Sequence, residues 1–252
     1  MHVLSRLRVA FGTFVAIEAE AANEPAVERG LVDAFEALVR IEGLMHPERP
    51  GSDLVSLTES APGTALPIDR WTWEVLELCR DLHRVSQGTF DPCLDLAPGR
   101  MADIELLDGL RVRAHVPVRI DLGGVAKGYA VDRAVEALRN AGCEGGLVNA
   151  GGDLAVFGRR GRTLYCGAPH GPTTAVYLRD AALATSDTNS LSRPAQHRGY
   201  YHGSSRQKAI SGRISVVAPR AAIADGLTKC LLAADGVPTQ PMLQAFGARH
   251  VL

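Results

Sequence analysis

From Leu110 to Leu122 the chain alternates, with Leu110, Val112, Ala114, Val116, Val118, Ile120 and Leu122 interleaved with Arg111, Arg113, His115, Arg119 and Asp121. A period of two is the pattern of extended chain with one buried face, so a strand is predicted that brings Asp121 near its end. Pro117 within the run predicts an edge position or a break. The period then changes. Val131, Ala134, Val135, Leu138 and Ala141 recur at three and four and Gly142 follows as a stop, which predicts a helix over 125–141. The same spacing predicts helices over 24–44, capped by Asn23 with Pro25 in the first turn, and over 69–87, capped by Asp69 and ended by Gly88. A fourth is predicted over 222–234. Trp71 and its neighbour Trp73 read as core residues of the second helix. Leu7, Val9, Phe11, Thr13, Val15 and Ile17 predict an opening strand with Gly12 as a bulge. Short strands at 154–157, 164–167, 175–178 and 183–186 predict a meander. The fold class is α+β, with helices packed on mostly antiparallel sheets.

The candidate chemistry gathers where strand meets helix. Gly123 and Gly124 stand at the entry of the helix predicted over 125–141, and Lys127 lies one turn inside it. Glycine lets a ligand approach bare N–H groups at the positive end of a helix, an arrangement suited to phosphate. Gly123, Gly124 and Gly128 do not form G-x-G-x-x-G, and no G-K-[ST] is present, so neither a dinucleotide fingerprint nor a P-loop is indicated. A second apolar stretch ends in Asn149-Ala-Gly-Gly-Asp153, again glycines and a carboxylate at a strand end.

Composition narrows the classes without choosing among them. With 252 residues, 22% charged side chains and a net charge of −1, the chain has the profile of an ordinary globular protein and no bias toward nucleic acid or a membrane surface. The five cysteines are scattered without C-x-x-C spacing, which predicts reduced thiols. Arg6 and Arg8 interrupt the apolar residues of the first segment, which predicts a strand in place of a signal peptide and a cytoplasmic location.

The stretch DLGGVAKGYAVD at 121–132, followed by NAGGD at 149–153, resembles the ApbE family of FAD:protein FMN transferases. Further matches occur in family order: FGTFVAIEA near the start, SDL at 52–54, GTFDP at 88–92, ATSD at 184–187 and VVAPRAAIADGLTK at 216–229. The resemblance implies a single domain over 1–252 with two lobes enclosing a flavin cleft. It implies FAD as substrate, Mg²⁺ on its diphosphate, and an acceptor flavoprotein whose threonine hydroxyl receives FMN. Phe11, Thr89, Phe90, Asp91, Asp121, Gly123 and Lys127 are the implied cofactor-binding residues. Gly124, Asp225 and Thr228 are the implied metal set, and Asp225, Lys229 and His202 the implied catalytic residues.

The last third departs from the family pattern. A histidine segment expected after ATSD is absent, leaving His202 as its candidate, and the family's threonine four residues after the aspartate is Lys229 here, with Thr228 one place early. Magnesium needs near-octahedral oxygen ligands at about 2.0–2.1 Å, so an ammonium beside Asp225 leaves two readings, that Lys229 partly or wholly replaces the metal or that its ammonium reaches to solvent. The acid-free stretch from Thr188 to Ala224, with Arg193, Arg198, Arg206, Lys208, Arg213 and Arg220, predicts further counter-charge for a diphosphate. Glu48 stands where the family has an aromatic residue over the flavin ring. Three activities follow from the resemblance and its breaks: FMN transfer to a protein threonine, binding of FAD without transfer as a carrier or sensor, and hydrolysis of FAD.

Overall fold

Val15, Ile17, Ala19 and Ala21 point to one side of their strand and are fully buried, and that side is where the helices pack. The computed structural model describes residues 1–167, 173–188, 212–234 and 236–251. The opening is a hairpin. β1 (His2–Ala10) and β2 (Thr13–Ala21) pair antiparallel through a two-residue turn in which Phe11 and Gly12 both have positive φ, 52° and 66°. The predicted bulge at Gly12 is therefore a tight hairpin turn, whose primed geometry follows the twist of its strands.

α1 (Glu24–Leu44) begins at Asn23, whose side chain accepts the Ala26 N–H at 2.9 Å, and buries Val27, Leu31, Phe35, Leu38 and Ile41. α2 (Asp53–Glu59) is a short helix capped by Ser52. α3 (Arg70–Val85) is capped by Asp69 and buries Val75, Leu76, Cys79 and Leu82, with both tryptophans half-buried against the core. A small sheet has the order β3 (Ala65–Pro67), β5 (Arg111–Ala114), β4 (Ile104–Leu107). The alternating run from Leu110 thus forms a ladder only as far as Ala114. Pro117 follows, and Ile120 makes only an isolated bridge to Cys93, so Asp121 lies in a loop and not at the end of a long strand.

α4 (Ala126–Asn140) leads through Gly142, φ 90°, into β6 (Gly145–Ala150) and β7 (Asp153–Gly158). β10 (Ala181–Asp187), β11 (Arg213–Ala218) and β12 (Arg249–His250) complete a seven-stranded sheet of order β1-β2-β6-β7-β10-β11-β12. Every pairing in it is antiparallel. β8 (Arg162–Gly167) and β9 (Thr173–Leu178) form a separate hairpin in place of the predicted meander. Their Cys166, Val176 and Leu178 bury Leu154, Val156, Leu183 and Val217 on the other side of the main sheet. α5 (Ala221–Leu232) packs against α3, α4, β10 and β11, and α6 (Thr239–Ala245) follows it. Burying one of these Leu or Ile side chains contributes about 1.5–3 kcal/mol, so the helix and strand periods seen along the chain decide which faces meet.

All five cysteines are buried and none is in a disulfide. Among the described residues no helix is long and apolar enough to cross a membrane.

Candidate functional site at the crossing of two helices

α5 is buried almost all round, and its polar residues Asp225, Thr228 and Lys229 fall at i, i+3 and i+4, which is one stripe of the helix. Asp225 is fully buried and both its oxygens are engaged. Oδ1 pairs with the Lys229 ammonium, and Oδ2 accepts the Gly128 N–H from α4 at 3.1 Å. The two helices approach this closely because residue 128 has no side chain: a Cβ there would stand 2.4 Å from the Ala221 carbonyl oxygen and 2.8 Å from Asp225 Cβ. Asp132, one turn further along α4, accepts the Ala221 N–H at 2.7 Å and the Ala222 N–H at 3.1 Å. It thereby caps the start of α5 from outside.

Lys127 pairs with Asp153, the carboxylate that opens β7. Asp153 is buried and Lys127 is partly exposed. Burial pushes the Asp153 carboxyl up to about 6 and the nearby Asp225 charge adds to it, while Lys127 and Lys229 oppose the rise. Burial also works against the charge of Lys127, but Asp225 and Asp153 together outweigh it and hold the ammonium above its ordinary range. Four charges thus interact across three elements, two negative and two positive.

Gly124 borders the same cluster. A Cβ at that position would lie 3.6 Å from Lys229 Cγ, 3.8 Å from Lys229 Cε and 3.7 Å from Phe90 Cε2, so lysine stem, glycine and aromatic ring converge. Phe90 is held there by a local network: its N–H donates to Ser86 Oγ at 3.0 Å and its carbonyl accepts from His83 Nδ1 at 2.9 Å. Thr89 and Asp91 secure the same loop. Thr89 donates to the Ser86 carbonyl, and Asp91 Oδ1 accepts the N–H groups of Cys93 and Met101 at 2.9 and 3.2 Å. Asp121 accepts the Gly123 N–H at 2.7 Å, closing the turn before α4. Phe11, in the first hairpin turn, donates its N–H to Glu42 and packs against the core. The neighbouring Thr13 touches the Gly151 turn that precedes Asp153.

The structure therefore brings Phe90, Gly124, Lys127, Asp225 and Lys229 together and gives Thr89, Asp91 and Asp121 loop-holding bonds. His202 lies outside the described residues, as do Arg193, Arg198, Arg206 and Lys208. Arg213 and Arg220 are each beside a carboxylate, Asp187 at 3.6 Å and Asp132 at 3.4 Å, so neither is an uncompensated cation. Glu48 faces Arg119 at 3.4 Å on the wall of a separate cavity of about 430 Å³ that none of the predicted site residues lines. Asp153 and Ser186 join the site without having been assigned a role from sequence.

The implied metal set can be tested on its donors. The Thr228 hydroxyl donates to the Asp225 carbonyl at 2.6 Å and so accepts from Ser186 Oγ, also at 2.6 Å. Asp225 already holds an ammonium, and the lysine stem runs along Gly124. This arrangement does not fit a divalent ion, which needs oxygen lone pairs free to converge on an open point.

Residues 11–246 match the sequence profile of the ApbE family. The chain belongs to the ApbE family. The FAD:protein FMN transferase of Rhodobacter capsulatus is 28% identical over 180 residues, covering 60% of this chain and 34% of the relative. The FAD:protein FMN transferase of Treponema pallidum (strain Nichols) is 23% identical over 283 residues, covering 90% of this chain and 78% of the relative. This chain spans only about a third of the first relative's length. The crystal structure of the ApbE protein from Thermotoga maritima superposes with a TM-score of 0.83 at 20% identity, covering 100% of this chain and 94% of that one. The mixed α and antiparallel β architecture is thus the ApbE fold.

Proposed function

We propose that this ApbE-family chain cleaves FAD and transfers its FMN half to a threonine hydroxyl of an acceptor flavoprotein. The observation that carries the reading is the convergence of Lys127, Gly124, Phe90 and Asp225 at the α4–α5 crossing of a chain whose curated relatives are FAD:protein FMN transferases. In this reaction the threonine oxygen forms a bond to the FMN phosphorus. The bond from that phosphorus to the bridging oxygen breaks, AMP leaves with the bridging oxygen, and the hydroxyl proton passes to solvent or to the leaving phosphate. Little covalent chemistry falls to the protein, so its work is to position the diphosphate and neutralise charge. Lys127, raised above its ordinary pKa, stays an ammonium at neutral pH and supplies positive charge at the first turn of α4, where the helix dipole adds to it. At Gly124 the Phe90 ring and the Lys229 stem come side by side, so an apolar wall and a cation border the same point.

Purified protein incubated with FAD, Mg²⁺ and a flavoprotein carrying the acceptor threonine should yield covalent flavin on the partner, read by in-gel fluorescence and mass. Free FMN plus AMP would instead mean hydrolysis. Unchanged FAD held tightly would mean a binding protein without transfer.

A further inference from the structure

We infer that the Lys229 ammonium is the resident cation of this site and that the chain handles the FAD diphosphate without a divalent metal. The inference rests on the flavin-nucleotide reading above and specifies how that site meets its anion. Three observations carry it. The Lys229 stem passes the side of Gly124 where a Cβ would stand while its ammonium reaches Asp225, so one side chain touches two members of the set that the ApbE pattern assigns to a metal. The Asp225 oxygens meet a full positive charge on one side and the Gly128 N–H on the other. The remaining oxygen of the implied set, Thr228 Oγ1, is turned into a bonded pair with Ser186 and the Asp225 carbonyl.

Charge balance points the same way. In the chain without bound nucleotide Asp153 and Asp225 are matched by Lys127 and Lys229, so a divalent ion entering before FAD would add two positive charges against two ammoniums in a buried setting. Lys229 is itself almost wholly buried, and a carboxylate four residues earlier on the same helix is the favourable orientation for such a pair. A lysine is a point charge that can oppose a phosphate oxygen without ordered ligands around it.

The test has two arms on the full chain. In the first, Mn²⁺ is titrated into protein free of flavin and followed by electron paramagnetic resonance. Wild type should leave the Mn²⁺ signal unchanged, and Lys229→Thr, which restores a hydroxyl at that position, should bind about one ion at micromolar to millimolar concentration. In the second, FAD affinity is measured by calorimetry with Mg²⁺ and with EDTA. Wild type should change by less than about twofold, and Lys229→Thr should lose about tenfold or more in EDTA. Mn²⁺ bound by wild type, a tenfold loss of wild-type FAD affinity in EDTA, or a folded Lys229→Thr that gains no ion would each overturn the inference. Failure of wild type to bind FAD in either buffer would overturn the flavin reading, and the Mn²⁺ arm would still decide what occupies the site. Both wild-type measurements stand even if the variant does not fold.

Discussion

Gly128 and Asp225 meet across the α4–α5 crossing, backbone N–H to carboxylate Oδ2 at 3.1 Å, at a point where no side chain on residue 128 could be accommodated. The bond ties the helix that carries Lys127 to the helix that carries Asp225 and Lys229. It also makes one glycine responsible for the spacing of two elements.

Gly128→Ala should therefore force α4 and α5 apart. Overpacking a well-filled crossing costs about 1–3 kcal/mol, and the lost bond to Asp225 adds to that. Urea denaturation should show the loss, and FAD binding should weaken together with stability. Wild-type stability in Gly128→Ala would mean that the helices are free to separate.

Lys127→Met leaves Asp153 buried without its ion-pair partner and should cost about 3 kcal/mol at neutral pH. Lys127→Met combined with Asp153→Asn should be less destabilised than Lys127→Met alone, because no orphaned charge remains. A double-mutant cycle measures the coupling, and strict additivity would mean that the pair contributes nothing.

The pH dependence of stability should carry the signature of Asp153. Burial, with Asp225, raises its carboxyl from 3.8 to about 6 in the folded chain, so the folded state holds this proton more tightly than the unfolded one. The stabilising contribution is complete below about 3.8 and is lost as pH rises through about 6, for a total on the order of 3 kcal/mol. Asp153→Asn should flatten the fall in stability across that window, as read by thermal denaturation at stepped pH. An unchanged slope in the variant would assign it to another group.

Asp132→Ala should destabilise the chain by about 1–2 kcal/mol, since it removes the acceptor for the Ala221 and Ala222 N–H groups at the start of α5. Asp132→Asn keeps one of the two oxygen acceptors and should recover only part of that loss in the same denaturation measurement.

The long periodic elements were legible because their period is a local property. α1, α3 and α4 begin and end within a few residues of the predicted bounds, with Asn23, Asp69 and Gly142 in their expected places. The seven-residue α2 was missed. Ser52 marks its start by accepting the Val55 N–H, but the helix is too short to show a period. The hairpin turn at Phe11 and Gly12 was misread because a non-glycine residue with positive φ is rarely expected there. At the site, the Asp225–Lys229 contact follows from helical spacing and could be seen in advance. Lys127–Asp153 and Ser186–Thr228 join residues 26 and 42 positions apart, which only the packed sheet and helices bring together. Thr89, Asp91 and Asp121 hold neighbouring backbone, a role that short polar side chains in loops commonly take.

The burial of every native thiol has a practical consequence. Cys79 and Cys230 are fully enclosed, the Cys230 thiol is pushed up to about 12 by its burial, and Cys93, Cys143 and Cys166 are nearly as well covered. Maleimide reagents attack the thiolate and need access, so the wild-type chain should be close to silent toward them. Val39 on the outer side of α1 is 60% exposed, and Val39→Cys would offer a single labelling handle. One fluorophore at that address could report nucleotide docking by resonance transfer to the flavin, on the otherwise native sequence.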